Sequence, residues 1–315
     1  MRGAPSPVTL SRTFRPSGKE WEPECEVDLA AMSNDVEGLL ARAVIGLDDE
    51  CASAPDDMSG WRAIVRLRDR ASRDVLDACL AACADADPLK RRVAAIVLGE
   101  LGDSQVGSPV FGEERFRGLM DLLAAERAGA GDPDVMGAAC TGLGRLHDPR
   151  AIPALLALRT YPEAAVRFGV MSGLSRHLGP HAPPAVLDAL IALSADSDED
   201  VRDWATFALG EHVEIDTPTV RAALHARLDD PYVEARHEAI EGLAKRGDPL
   251  VLPVLIRELC RGVAPKLLDA AAALATPDLC DALAAAGRDG AIFQAHHGPV
   301  DLTDDWLEAK RACGC

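Results

Sequence analysis

The chain is predicted to be all-α, a solenoid of about six helix pairs in one continuous array. Three observations predict it. The segment Val201–Gly210 reads Val-Arg-Asp-Trp-Ala-Thr-Phe-Ala-Leu-Gly, and weaker copies of its skeleton recur at Lys90–Gly99, Val135–Gly144, Val166–Ser175 and Ala235–Ala244, with a degraded copy near Val263. The spacing, about 28 to 45 residues, is that of stacked helical repeats. Between copies lies a second apolar stretch, usually headed by proline: Pro149–Leu158, Pro184–Leu193, Thr219–Leu228 and Pro249–Leu259. Finally, aromatic residues make up only 4% of the chain and the apolar class is mostly Ala, Leu and Val. That composition favours helix and suits thin layers of paired helices better than one bulky core.

In chain order, residues 1–31 lack apolar periodicity and read as a disordered N-terminal extension with a dispensable leader. Residues 32–60 read as a helix, Asp35–Leu47, and a loop. The array is expected over 61–286. Trp61–Asp69 and Ser72–Cys83 are its first helices, Trp61 packing the open end, and Leu89–Leu101 follows the Asp87-Pro88 start signal. Gly102–Gly112 reads as a long turn, and Glu113–Ala128 as the next helix. From Pro133 to Asp248 the pattern is most regular. Asp148-Pro149 and Asp248-Pro249 are near-identical turns, because proline fits the first helical turn, where no N–H is needed. Pro265–Leu274 and Asp278–Ala285 are a last pair; 287–315 is a tail, loop-like over Gly287–Thr303 with a capping helix at Asp304–Ala312.

On a helix, Val201, Ala205, Ala208 and Leu209 form one narrow stripe of mostly small residues against which a neighbouring helix can pack closely. Trp204, Phe207 and Glu211 form a second line that a helix core does not require. Arg91, Arg167, Arg202 and Arg236 share one repeat position and read as a structural ladder, with Asp87, Asp200, Asp229 and Asp230 as the nearby acceptors.

Leu143–Leu155 resembles the turn and following helix of a HEAT repeat, and Asp200–Gly210 and Arg236–Asp248 resemble the bacterial HEAT-repeat proteins grouped with phycobilisome lyase subunits. The resemblance covers about residues 60–285 and implies a right-handed superhelix. For activity it is permissive, since such arrays host scaffolds, chromophore lyases, a di-iron hydroxylase and DNA glycosylases. The expected function is a non-catalytic scaffold that binds a protein partner, with no cofactor. Its binding surface would comprise Asp203, Trp204, Phe207, Glu211, His237, Glu238 and Glu241. Trp204 and Phe207 would anchor the partner, and the carboxylates would complement a basic surface. In the competing reading Trp204 simply packs over Gly169 across a repeat boundary.

The alternative class is an enzyme or cofactor-handling protein on the same scaffold, phycobilin-lyase-like or deoxyhypusine-hydroxylase-like. The latter uses His-Glu pairs on several repeats to bind two irons; only His237-Glu238 matches here. Cys313 and Cys315, in a C-terminal Cys-Gly-Cys, are weak metal candidates that His296 and His297 could supplement; a plain exposed tail is the simpler reading. Cys79 and Cys83 lie on one helix face and read as small core residues.

A net charge of −18 repels phosphate backbones, so nucleic acid is an unfavourable partner. The acidity is concentrated: residues 195–241 hold 13 Asp or Glu against 4 Arg. No apolar run reaches membrane-spanning length, and nine unpatterned cysteines suggest mostly free thiols in a reducing cytoplasm. Phosphate-binding glycine loops, zincin helices and nucleophile elbows are absent from the sequence.

Overall fold

The structure is a computed structural model that describes residues 33–47, 59–102, 110–129, 131–212, 214–288, 291–295 and 298–315. The expected extension at 1–31, most of the loop at 51–59, the centre of the long turn after Leu101, and His296-His297 lie outside the described residues. The chain is an all-α solenoid. Its helices are α1 (Val36–Leu47), α2 (Ser59–Arg70), α3 (Arg73–Ala82), α4 (Pro88–Glu100), α5 (Gly112–Ala128), α6 (Pro133–Arg145), α7 (Ile152–Leu158), α8 (Ala164–Ser175), α9 (Pro184–Leu193) and α10 (Glu199–Glu211). They continue as α11 (Pro218–His225), α12 (Val233–Lys245), α13 (Leu252–Leu259), α14 (Pro265–Leu274), α15 (Cys280–Ala286) and α16 (Thr303–Cys313).

From α3 onward the helices alternate between two layers. The even-numbered helices α4 to α16 pack in succession, each against the next, whereas successive odd-numbered helices touch much less. The even helices are therefore the inner, concave layer. The described array has seven such pairs, α3/α4 to α15/α16, plus the α1–α2 hairpin against α4. The sequence reading of about six pairs takes Pro265–Leu274 and Asp278–Ala285 as the last pair; in the structure α14 pairs with α13, and α15 with α16, the helix expected as a cap at Asp304–Ala312. The stretch read as a loop between α15 and α16 contains a hairpin, β1 (Ile292–Ala295) antiparallel to β2 (Gly298–Asp301).

Local chemistry sets the helix starts. Asp87, Asp132, Asp148 and Asp248 each precede a proline and accept a hydrogen bond from the backbone N–H two residues on, at 2.9–3.0 Å. After Asp148 and Asp248 the first turn is a 3₁₀ turn, Pro149–Ala151 and Pro249–Val251, which feeds α7 and α13. The inner helices approach one another through glycines. A Cβ added at Gly99 would sit 2.6 Å from Gly142 Cα, and one at Gly242 would sit 2.6 Å from Gly210 Cα. Around these contacts the core is aliphatic, with Leu98, Leu143, Leu174, Leu209 and Leu243 all at 2% exposure or less.

Candidate functional site

The arginine ladder runs through the array at one repeat position. Each guanidinium turns Nη1 back onto two carbonyls of its own inter-helix turn: Asp85 and Ala86 for Arg91, Tyr161 and Pro162 for Arg167, Asp196 and Ser197 for Arg202, Asp230 and Pro231 for Arg236. Its other nitrogens reach a carboxylate of the following repeat. Arg91 meets Glu126 at 2.6 Å, Arg167 forks onto Asp196 at 2.8 Å, Arg202 forks onto Asp230 at 3.0 and 3.1 Å, and Arg236 approaches Glu258 at 3.7 Å. Of the acceptors read from sequence only Asp230 takes this role. Asp87 caps α4, Asp229 pairs with Arg257, and Asp200 lies on the inner face. Glu126, Asp196 and Glu258 were missed because stacking, not chain proximity, brings them to the ladder.

The inner face of α10 carries Asp200, Asp203, Trp204, Phe207 and Glu211 at helical spacing, and α12 repeats that spacing with Glu234, His237, Glu238, Glu241 and Lys245. Trp204 is half-buried. It makes edge-to-face contacts with Phe207 at a centroid distance of 5.6 Å and with Phe168 of α8 at 6.4 Å. Trp204 thus meets a ring across the repeat boundary. The three atoms nearest a Cβ built on Gly169 belong to the Gly137 backbone, and the ring that Trp204 meets across the boundary is Phe168, the residue before Gly169. Among the described residues no glycine-to-glycine contact joins α8 to α10, and these helices pack less closely than α6 and α8. The aromatic row Phe168–Trp204–Phe207 crosses at that wider junction.

Lys266, at the start of α14, organises the other end of the face. Its ammonium lies 2.9 Å from Glu238 and 3.0 Å from Glu241, and 5.1 Å from the centre of the Phe207 ring. Lys245 bridges Glu241 at 2.9 Å and Glu211 at 2.8 Å. Glu211, Glu238 and Glu241, expected to complement a partner's charge, are thereby engaged within the fold. Burial pushes Glu238 up to about 8 against the pull of Lys266. Burial works to depress Lys266, but Glu238 and Glu241 outweigh it and hold the ammonium well above its ordinary value. His237 is driven down to about 4 by burial, opposed by Glu258, and so is neutral at pH 7. Asp203 is different. Its Oδ1 is buried and accepts no hydrogen bond among the described residues, and burial, reinforced by Glu234, pushes it up to about 7.

No group of three or more His, Cys, Asp or Glu side chains among the described residues is placed to hold a metal ion. The C-terminal cysteines are not a mobile pair. Cys315 forms a disulfide with Cys280, and Cys313 is buried with its thiol on Ala271 O at 3.4 Å. Cys79 is fully buried, and burial raises its thiol to about 12. Among the described residues no helix is long and apolar enough to cross a membrane.

The repeats, the paired layers and the ladder define a class, and comparison with known proteins agrees. The HEAT-repeat family model matches residues 120–210 and 187–275, and that stretch of the chain is built of HEAT repeats. Among individual proteins, it is similar to protein YibA of Escherichia coli strain K12, at 25% identity over 240 residues, 72% of this chain and 83% of the relative. The crystal structure of Escherichia coli YibA superposes with a TM-score of 0.60 at 22% identity, covering 88% of this chain and 96% of that one, which shows the shared fold. Human deoxyhypusine hydroxylase in complex with glycerol aligns at 20% identity, over 89% of this chain and 96% of that one. The CpcE–CpcF complex of phycocyanin lyase from Nostoc sp. PCC7120 aligns at 16%, over 94% and 91%. Their TM-scores, 0.33 and 0.36, are too low to carry an argument.

Proposed function

We propose that this protein is a non-catalytic interaction scaffold whose inner face, across α8, α10 and α12, receives a segment of a protein partner. The observation that carries this reading is the row Phe168–Trp204–Phe207, with Trp204 half-buried on the concave layer and packed only in part against the core. Large aromatic side chains with a polar rim are the usual anchors of protein recognition, and a rigid array presents them at little entropic cost. The rim here is Asp200, Asp203 and Glu234 at one end and the Lys266–Glu238–Glu241 network at the other. Within the HEAT-repeat proteins we place the chain with the bacterial group of the phycobilisome lyase type, on the motifs at Asp200–Gly210 and Arg236–Asp248.

The test is affinity enrichment with the full chain as bait, quantified by mass spectrometry. The bait is compared with Trp204→Ala plus Phe207→Ala and with Leu250→Ala, an exposed side chain in the turn before α13. A partner retained by the parent and by Leu250→Ala, and lost from the double variant with its helical content unchanged, is the expected result. A partner retained equally by all three baits removes this surface from consideration.

A further inference from the structure

Many carboxylates that pack between repeats are matched to cations. Glu126, Asp196, Asp230 and Glu258 each meet an arginine of the ladder, and Glu211, Glu238 and Glu241 meet Lys245 or Lys266. Of the inner-face carboxylates that are not matched, which include Asp269 of α14, three lie on α10 and at the start of α12. Asp200 and Asp203 on the first turns of α10, and Glu234 at the start of α12, have no ion-pair partner among the described residues. Burial raises both aspartates and the neighbouring Tyr232, with Asp198, Glu199 and Glu234 adding to it at Asp200, and Glu234 and Asp200 adding to it at Asp203 and Tyr232. Asp203 adds a buried oxygen that accepts no hydrogen bond among the described residues. A buried carboxylate oxygen without a donor is costly unless something binds there.

The fold contains its own template for what that something is. At the other end of the same face the Lys266 ammonium lies against the Phe207 ring and on two carboxylates. One repeat toward the N-terminus, Trp204 with Asp200, Asp203 and Glu234 offers a similar combination with no cation in ion-pair contact, Lys266 acting on Asp203 only at longer range. An anion is repelled here. A neutral apolar segment would bury the three carboxylates without compensation. A lone amine would satisfy the charge but leave the row from Phe168 to Phe207, which crosses a repeat boundary, uncovered. Resting on the proposed interaction surface, we infer that the occupant is a peptide segment in which a lysine or arginine adjoins a large apolar side chain. The cation enters among Asp200, Asp203 and Glu234, and the apolar group covers Trp204 and Phe168.

The probe is a random-peptide phage library selected on the immobilised full chain. The best peptide is remade with a fluorescein label and titrated by fluorescence anisotropy. Selected peptides are expected to carry Lys or Arg beside an aromatic or branched aliphatic residue. Replacing that cation by Gln, or using Asp203→Asn or the pair Asp200→Asn and Glu234→Gln, weakens binding about tenfold in each case. These protein changes are nearly isosteric, and the peptide change leaves the protein untouched, so misfolding cannot imitate the result. Enrichment of neutral or acidic peptides overturns the inference. Binding lost in Trp204→Ala plus Phe207→Ala but unchanged by the carboxylate variants overturns it as well, and leaves the interaction surface standing. Binding indifferent to both sets overturns both.

Discussion

Arg202 and Asp203 are neighbours in the chain with opposite surroundings. Arg202 satisfies two turn carbonyls and forks onto Asp230, a carboxylate that Arg227 also reaches at 3.2 Å. Arg202→Ala strands part of that buried charge. A loss of about 2–4 kcal/mol in urea denaturation is expected. Arg202→Lys should recover only part of it, since an ammonium cannot fork. An unchanged midpoint for Arg202→Ala would show the ladder to be ornamental. Asp203 is pushed up to about 7 by burial, with Glu234, Asp200 and Asp230 adding to the shift and Lys266 opposing it; Glu238 lies close enough to be raised in turn. Its folded value is above the ordinary 3.8, so the stability it contributes is complete below about pH 4 and is lost as pH rises through 7. Asp203→Asn should therefore raise the melting temperature at pH 8 relative to the parent and leave the difference near zero at pH 3.5. Circular dichroism melts at the two pH values check this; a gain that is larger at the acid value contradicts the sign.

At the scale of elements, the inner layer depends on helices that touch through their backbones. The stripe of small residues in Val201–Gly210 and its copies made this legible, because a ten-residue pattern ending in glycine has one good use on a packed helix. Gly242→Ala places a methyl 2.6 Å from Gly210 Cα, where no side chain can yield. It is expected to cost about 1–3 kcal/mol, against a gain of under 1 from helix propensity. A stabilised Gly242→Ala protein in chemical denaturation would mean that α10 and α12 can separate freely. The starts of the proline-headed helices were equally legible, since Asp-Pro both caps and begins a helix. The hairpin Ile292–Ala295 with Gly298–Asp301 was not: its strands are four residues each, too short to show alternation. The charge balance of the candidate face also stayed hidden. Glu238 and Glu241 read as free acids because their partner, Lys266, lies in the repeat whose pattern has decayed.

For the whole molecule, stacked repeats mean that each pair is supported mainly by its neighbours, so local damage should stay local. The C-terminal end tests this. There α16 covers α14 with Ala309 and Cys313, Trp306 donates its indole N–H to Leu283 O at 2.8 Å, and the Cys280–Cys315 disulfide ties the end of α16 to the start of α15. Closing that loop of chain should stabilise the last pair by about 2–4 kcal/mol. Cys280→Ser plus Cys315→Ser should therefore speed hydrogen exchange in α15 and α16, and less strongly in α14, while α4, α6 and α8 keep their protection. Lys266 stands on α14, the helix before Cys280, so a loosened end should also weaken its hold on Glu238 and Glu241. Uniformly faster exchange along the entire array would mean that the protein unfolds as one cooperative unit rather than as a stack. In that case the candidate face could not be adjusted from the chain end at all, because any change there would act on every repeat alike.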